Sequence, residues 1–386
     1  MNSAGQGVNA SGPLRGVRVV EFAGIGPGPL CGMLLADMGA QVLRLERQGA
    51  HDVGIERPLA FDLAQRGKRT LRLDLKTAPG LTAARALVRQ ADALIEGFRP
   101  GTLERLGLGP QDCLQDNPRL AYGRVTGWGQ QGPLAQVAGH DLNYIALTGA
   151  LDAIGRSGQP PTPPLNLLGD YAGGSLLLAM GLLAAILHAR TSGQGQVVDA
   201  AMIDGVGALM APLHGMQMAG QHAGPRGTNV LDSGAPYYEV YACADGAWLS
   251  VAPIEKRFRA VLIERLRGAG AAVDGLPDFD DRARWPELRA RLAAIFASQP
   301  RAHWCAHLEG SDACVAPVLD VRTAADHPHH AARGSFVQVD GVTQPAPAPR
   351  FSVTPNGVPS GPGQGGDARD WALAWGVAPE ILSTLN

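Results

Sequence analysis

Short apolar runs, separated by glycine-rich turns and amphipathic stretches, organise the first third of this chain. Val17–Phe22 (VRVVEF) has the length and apolar character of a buried strand, and the turn GIGPGP leads from it into an apolar helix over Leu30–Met38. Gly39 stops that helix, and Gln41–Glu46 predicts a second strand. A strand–helix–strand unit of this kind implies a parallel pair with a right-handed crossover. The alternation continues with a helix at Leu81–Gln90, a strand at Asp92–Phe98, a short helix in LERLGLG and a strand at Leu120–Val125. Gln196–Met202 predicts one more strand and Ile203–Met218 a helix whose methionines suit core packing.

The most apolar stretch, Ser175–Ala189, lies behind two glycines and ends at His188 and Arg190. It is shorter than the ~20 residues of a bilayer span, so it is expected as a buried helix. From Tyr237 the pattern changes. A hairpin pairs Tyr237–Cys243 with Ala247–Ala252 around Ala-Asp-Gly, and helices follow at Glu255–Arg267, Trp285–Ala297 and Arg301–Leu308. The expected fold class is α/β, with a Rossmann-like large domain built on a parallel sheet and a smaller α+β domain. The large domain is expected from residues 1–200 and 331–386, the small one from 235–320, with linkers at 201–234 and 321–330. The Pro/Gly-rich C-terminal part, with a last helix near Asp370–Trp375, is read as a return across the large domain.

Composition narrows the classes. With 386 residues, 45% of them apolar and 18% charged, the chain matches an ordinary two-domain enzyme. A formal net charge of -2 gives no general attraction to nucleic acid or to an acidic membrane. Five scattered cysteines without CxxC spacing argue for reduced thiols, and against a disulfide framework or a zinc knuckle. The first sixteen residues are small and polar and hold no signal-peptide core, so a cytoplasmic protein is expected.

Several residue groups invite chemistry. The turn after the first strand resembles a dinucleotide fingerprint with Glu46 as the ribose acid, but its third glycine falls on Pro29 and Pro27 stiffens it. His303 and His307 flank Cys305 at helical spacing, and His327, His329 and His330 form HPHH. The first lacks the HExxH glutamate and the second a partner cluster, so no metal site is expected. His140 in AGHD and Asp170 in NLLGDYAGG can each move a proton, and a stiff loop with Pro160, Pro161, Pro163 and Pro164 lies between them. The plain alternatives are a core or capping role for His140, and helix N-caps for Asp141 and Asp170. Glu255 opens a helix, where the dipole alone would favour a glutamate. Arg47, Arg99 and Arg105 follow strands or open helices on the side where an open α/β sheet binds ligands, and arginine suits phosphate.

Together, LRGVRVVEFAGIGPGPLCGMLLADMGAQVLRLER, FRPGTLERLGLGP, GWGQQGP, AGHDLNYIALTG, PPLNLLGDYAGG and GQVVDAAMIDG resemble the family III CoA-transferase superfamily. Within it they are closest to the α-methylacyl-CoA racemase branch, and the likeness extends over nearly the whole chain. The resemblance implies a racemase interconverting (2R)- and (2S)-2-methylacyl-CoA thioesters by 1,1-proton transfer through an enolate, in fatty-acid metabolism. It implies His140 as base on one face of the substrate, Asp170 on the other, and Glu255 supporting the histidine. It places Asp141, Asn166, Gly139 and Tyr144 around the acyl thioester, and Arg47 and Arg105 on the CoA phosphates. No cofactor is implied, CoA being part of the substrate, and the family's subunits form interlocked homodimers. One departure stands out, because the racemase pattern I-E-P-Q-F reads I-E-K-R-F around Glu255. The rival reading is CoA transfer between carboxylic acids with Asp170 as nucleophile. A non-catalytic CoA-binding protein is disfavoured by the three filled ionisable positions.

Overall fold

The computed structural model describes residues 11–49 and 55–385. The chain forms two compact units, one comprising the chain up to Thr148, Leu165–Leu209 and the part from His329 on, the other Gly149–Pro164 and Met210–Pro328. The proline-rich loop expected in the large domain therefore packs with the second unit. Residues 201–234 are not a plain linker either, since a helix over Met202–Met218 occupies half of them and contains the division between the units.

The first unit is built on six parallel strands: β1 (Arg18–Phe22), β2 (Gln41–Glu46), β3 (Lys68–Arg72), β4 (Ala93–Glu96), β5 (Ala121–Thr126) and β6 (Gln196–Ala201). Their order is β3-β2-β1-β4-β5-β6, the doubly wound arrangement in which direction reverses between β1 and β4. Val19 and Val20 enter different cores, as neighbouring strand residues must, and both are fully buried. On one face lie α1 (Pro27–Asp37) and the long apolar helix; on the other lie α2 (Ala78–Arg89) and the C-terminal helix Ala368–Ala374 with Trp371.

Strand β3 has no counterpart in the hydrophobic pattern because it carries Lys68 and Arg69, both buried. Lys68 is paired with Glu21 at 2.6 Å, and the Arg69 guanidinium stacks on Trp371 at 4.5 Å. Their partners lie far away in sequence. The C-terminal part holds a hairpin, Phe336–Val339 with Val342–Pro345, where only a meandering chain is expected.

The apolar helix is longer than its sequence suggests. A π-helical segment, Leu167–Leu176, runs directly into the α-helix Leu177–Ser192. Leu167–Ser192 is thus long and apolar enough to cross a membrane by length and composition, with half of its apolar window buried in the fold. Leu178 and Leu182 press on β5 at Gly123, where a Cβ would come within 2.8 Å and 2.9 Å of their methyl groups. This is the packing of a sheet-covering core helix.

The second unit has a three-stranded antiparallel sheet, Glu239–Ala242, Trp248–Val251 and Val315–Pro317. Helices Lys256–Gly268, Trp285–Ala297 and Arg301–Leu308 cover it around a core of Leu262, Leu292, Phe296 and Trp304. Glu239, buried in that unit, pairs with both Arg156 and Arg289 and so fastens the proline-rich loop to the strand.

Candidate active site

A doubly wound sheet binds ligands beyond the carboxyl ends of its strands, at the reversal point. In the first unit that point faces the start of α1, where Gly26 (φ 66) makes the turn after β1. No side chain stands at Gly26, and an added Cβ would lie 3.1 Å from Asp170 Oδ2. The Asp170 carboxyl is therefore held against the first turn of α1.

The π-helical segment positions Asp170. Leu165 takes a left-handed φ of 58, uncommon for a branched residue, and Asn166 follows as the residue before the helix. Asp170 is the fourth residue of the segment, not its cap, which corrects the capping alternative. A wide turn of this kind often marks a functional site. Asn166 Nδ2 donates to Asp170 Oδ2 at 3.1 Å, and the Asp170 N–H donates to Asp141 Oδ1 at 2.7 Å. Ser175 Oγ donates to the Pro27 carbonyl at 2.8 Å and lies 3.1 Å from the Asp170 carbonyl. Close glycine contacts seat the segment. A Cβ at Gly205 would stand 1.9 Å from the Gly173 carbonyl oxygen.

His140 precedes the short helix Asp141–Leu147 and is exposed. It occupies the N-cap position expected of Asp141, and its N–H donates to Asn143 Oδ1 at 3.1 Å. Behind it, Tyr144 is buried and its hydroxyl donates to the Gly139 carbonyl. Trp128 meets Tyr144 edge-on at 4.8 Å and donates from Nε1 to the Val137 carbonyl at 3.1 Å. Gly127 and Gly139 make room for the Tyr144 ring. Gly139 and Tyr144, expected beside substrate, thus form the support of the histidine loop. The sequence does not single out Trp128 or Ser175, although the run GWGQQGP marks the first.

Burial raises the Asp170 carboxyl above its ordinary range; the Asn166 hydrogen bond opposes this, Asp141 adds to it, and His140 lowers it. The arrangement favours a proton-bearing carboxyl near an exposed imidazole.

Arg47, Arg99 and Arg105 are exposed, beyond β2 and β4 at their carboxyl ends. Arg105 lies in the short helix Glu104–Leu106 and donates to Thr102 Oγ1 at 3.3 Å. Glu46, the ribose acid of the dinucleotide reading, accepts from Arg44 at 2.9 Å and from Arg72 at 3.1 Å. Glu255 belongs to the second unit, where it precedes the helix Lys256–Gly268 with an exposed side chain. The histidine clusters have structural contacts: His303 Nε2 meets the Ala269 carbonyl at 3.3 Å, His307 Nδ1 the His303 carbonyl at 2.9 Å, and His327 pairs with Glu309 at 2.6 Å.

A fold with an acid and an imidazole at its switch point defines a class, and comparison with known proteins identifies it. Residues 14–367 match the profile of CoA-transferase family III, and the chain belongs to that family. It is 48% identical over 349 residues to the α-methylacyl-CoA racemase of Mus musculus, covering 90% of this chain and 88% of that protein. Identity to the α-methylacyl-CoA racemase of Homo sapiens is 43%, with 90% and 88% covered. The succinyl-CoA–D-citramalate CoA-transferase of Chloroflexus aurantiacus is 32% identical, with 93% and 92% covered. A crystal structure of a CAIB/BAIF family protein from Brucella suis superimposes with a TM-score of 0.80 at 27% identity, covering 94% of this chain and all of that one.

Proposed function

We propose that this protein is a racemase of 2-methylacyl-CoA thioesters. The observation that carries the reading is the placement of the Asp170 carboxyl against the start of α1, with its N–H on Asp141 of the short helix that the exposed His140 caps. A thioester α-proton is weakly acidic, so a base must act within hydrogen-bond reach while the site stabilises the enolate. His140, as neutral imidazole, takes the proton from one epimer. Asp170, as carboxylic acid, returns one to the other face; in the reverse direction the roles exchange. Asn166 and the Asp170 backbone contacts keep the carboxyl oriented, and Arg47 and Arg105 attract the CoA phosphates. Glu255 is assigned, on family resemblance, a supporting role in the proton transfer.

The working form in this reading is a homodimer. Leu142, Leu147, Leu165, Leu167, Leu176, and Met180 are all exposed in the first unit, a set of large apolar side chains consistent with a covering partner. The reading needs no resident metal or cofactor, and five unpaired thiols suit a cytoplasmic location.

Incubation of a single 2-methylacyl-CoA epimer in deuterated water tests the reading. Deuterium at C2 together with approach to an epimer mixture supports it, and His140→Ala and Asp170→Ala should each suppress both. The second reading is CoA transfer, favoured by the 32% identity to a citramalate CoA-transferase. It requires Asp170 as an ionised nucleophile, which its environment disfavours. CoA appearing on an added free acid, without exchange at C2, would select it.

A further inference from the structure

Asp141 is expected beside the substrate, yet its side chain is 5% exposed and turned toward Asp170. One carboxylate oxygen, Oδ1, accepts the Asp170 N–H at 2.7 Å. The other, Oδ2, is buried without a hydrogen-bond partner. A buried carboxylate oxygen left unpaired is unfavourable, so its retention calls for a use. The chain also makes room for it: a Cβ at Gly169 would stand 2.6 Å from Asp141 Oδ1. The groups facing Asp170 are Asp141, His140 and Tyr144 around the short helix, with Arg99 acting on Tyr144, and Asn166 from its own segment. Gly26, just before α1, also approaches the Asp170 carboxyl and brings no charge. Asp141 is thus the like-charged neighbour in that set.

We propose that Asp141 is a positioning residue for Asp170, its buried carboxylate pinning the Asp170 backbone at the wide turn and holding the Asp170 carboxyl in its proton-donating form. The role rests on the racemase reading for its purpose, while the interaction is independent of substrate. An Asp141 carboxylate that accepts the Asp170 N–H sets a like charge beside the Asp170 side chain, which disfavours ionisation of the Asp170 carboxyl. The Asp141 charge also offsets the acidifying influence of His140 and Asn166 on Asp170.

The test is a titration of the full-length, substrate-free protein carrying 13C-carboxyl aspartate, with the Asp170 signal assigned by its loss in Asp170→Asn. Asp141→Asn keeps an oxygen to accept the Asp170 N–H but removes the charge. The Asp170 midpoint should then fall toward the ordinary carboxylate range, and the alkaline limb of deuterium exchange, where Asp170 is the donor, should move to lower pH with it. An unchanged midpoint overturns the proposal. A shifted midpoint in a protein that exchanges no α-proton would sink the racemase reading and leave the positioning role standing.

Discussion

Ser175 Oγ donates to the Pro27 carbonyl at 2.8 Å, joining the π-helical segment to the first turn of α1 across 148 residues of chain. The same hydroxyl lies 3.1 Å from the Asp170 carbonyl, so one buried proton ties the backbone of the acid to the loop beneath the site. Ser175→Ala leaves the Pro27 carbonyl without this donor, and the loss should destabilise the protein by about 1–3 kcal/mol. With Asp170 less firmly held, kcat should drop while KM for acyl-CoA changes little. Urea unfolding and steady-state kinetics on the variant check both parts; full activity at reduced stability would make the bond purely structural.

The Glu21–Lys68 pair is almost entirely buried, and Lys68 also donates to the Pro29 carbonyl at 2.8 Å in α1. Burial raises the Glu21 carboxyl and lowers the Lys68 ammonium, while each partner opposes the other's shift. Lys68→Met strands the carboxylate and should remove about 3–5 kcal/mol of stability. Adding Glu21→Leu should restore most of it, because a buried pair exchanged for apolar groups is often neutral. Denaturant curves for the two singles and the double decide the matter.

Arg124 is buried between Glu96, at 2.7 Å, and Glu104, at 2.9 Å, while Glu96 also accepts from the Phe98 N–H at 2.8 Å. This cluster anchors both ends of the loop that carries Arg99 and precedes Arg105. Glu104→Gln should weaken the anchor and raise KM for acyl-CoA by roughly threefold to tenfold, about 1 kcal/mol. The corresponding acyl-pantetheine, which lacks the nucleotide phosphates, should show no such rise. Equal losses on both substrates would dissociate the cluster from CoA binding.

The raised Asp170 carboxyl has a consequence for stability. The folded protein keeps the Asp170 proton to higher pH than the unfolded chain, whose carboxyl titrates near 3.8. Stability from this group is therefore complete below that value and is lost as pH rises through the folded midpoint. Asp170→Asn removes the liability. The melting temperature of the variant relative to wild type should be higher at neutral pH than at pH ~3.5 by the linkage argument. A difference independent of pH would contradict the shifted carboxyl.

Much of this protein is legible in one dimension. The run VRVVEF, the turn GIGPGP and the strand QVLRLE specify a parallel unit through local apolar pattern and glycine placement, and β1, α1 and β2 form there. His140 and Asp170 stand out because a proton-moving residue beside glycine is a local signal. Other features depend on partners distant along the chain. KRTLR does not read as a buried strand until Glu21 and Trp371 neutralise and cover its cations. Gly149–Pro164 looks like an extension of the large domain until Glu239 captures Arg156. The residue order tells which groups are available for chemistry, since their identity is a covalent fact. What those groups feel depends on folding: Asp141 turns from a helix cap into the buried neighbour of an acid 29 residues on, because burial and charge act through space.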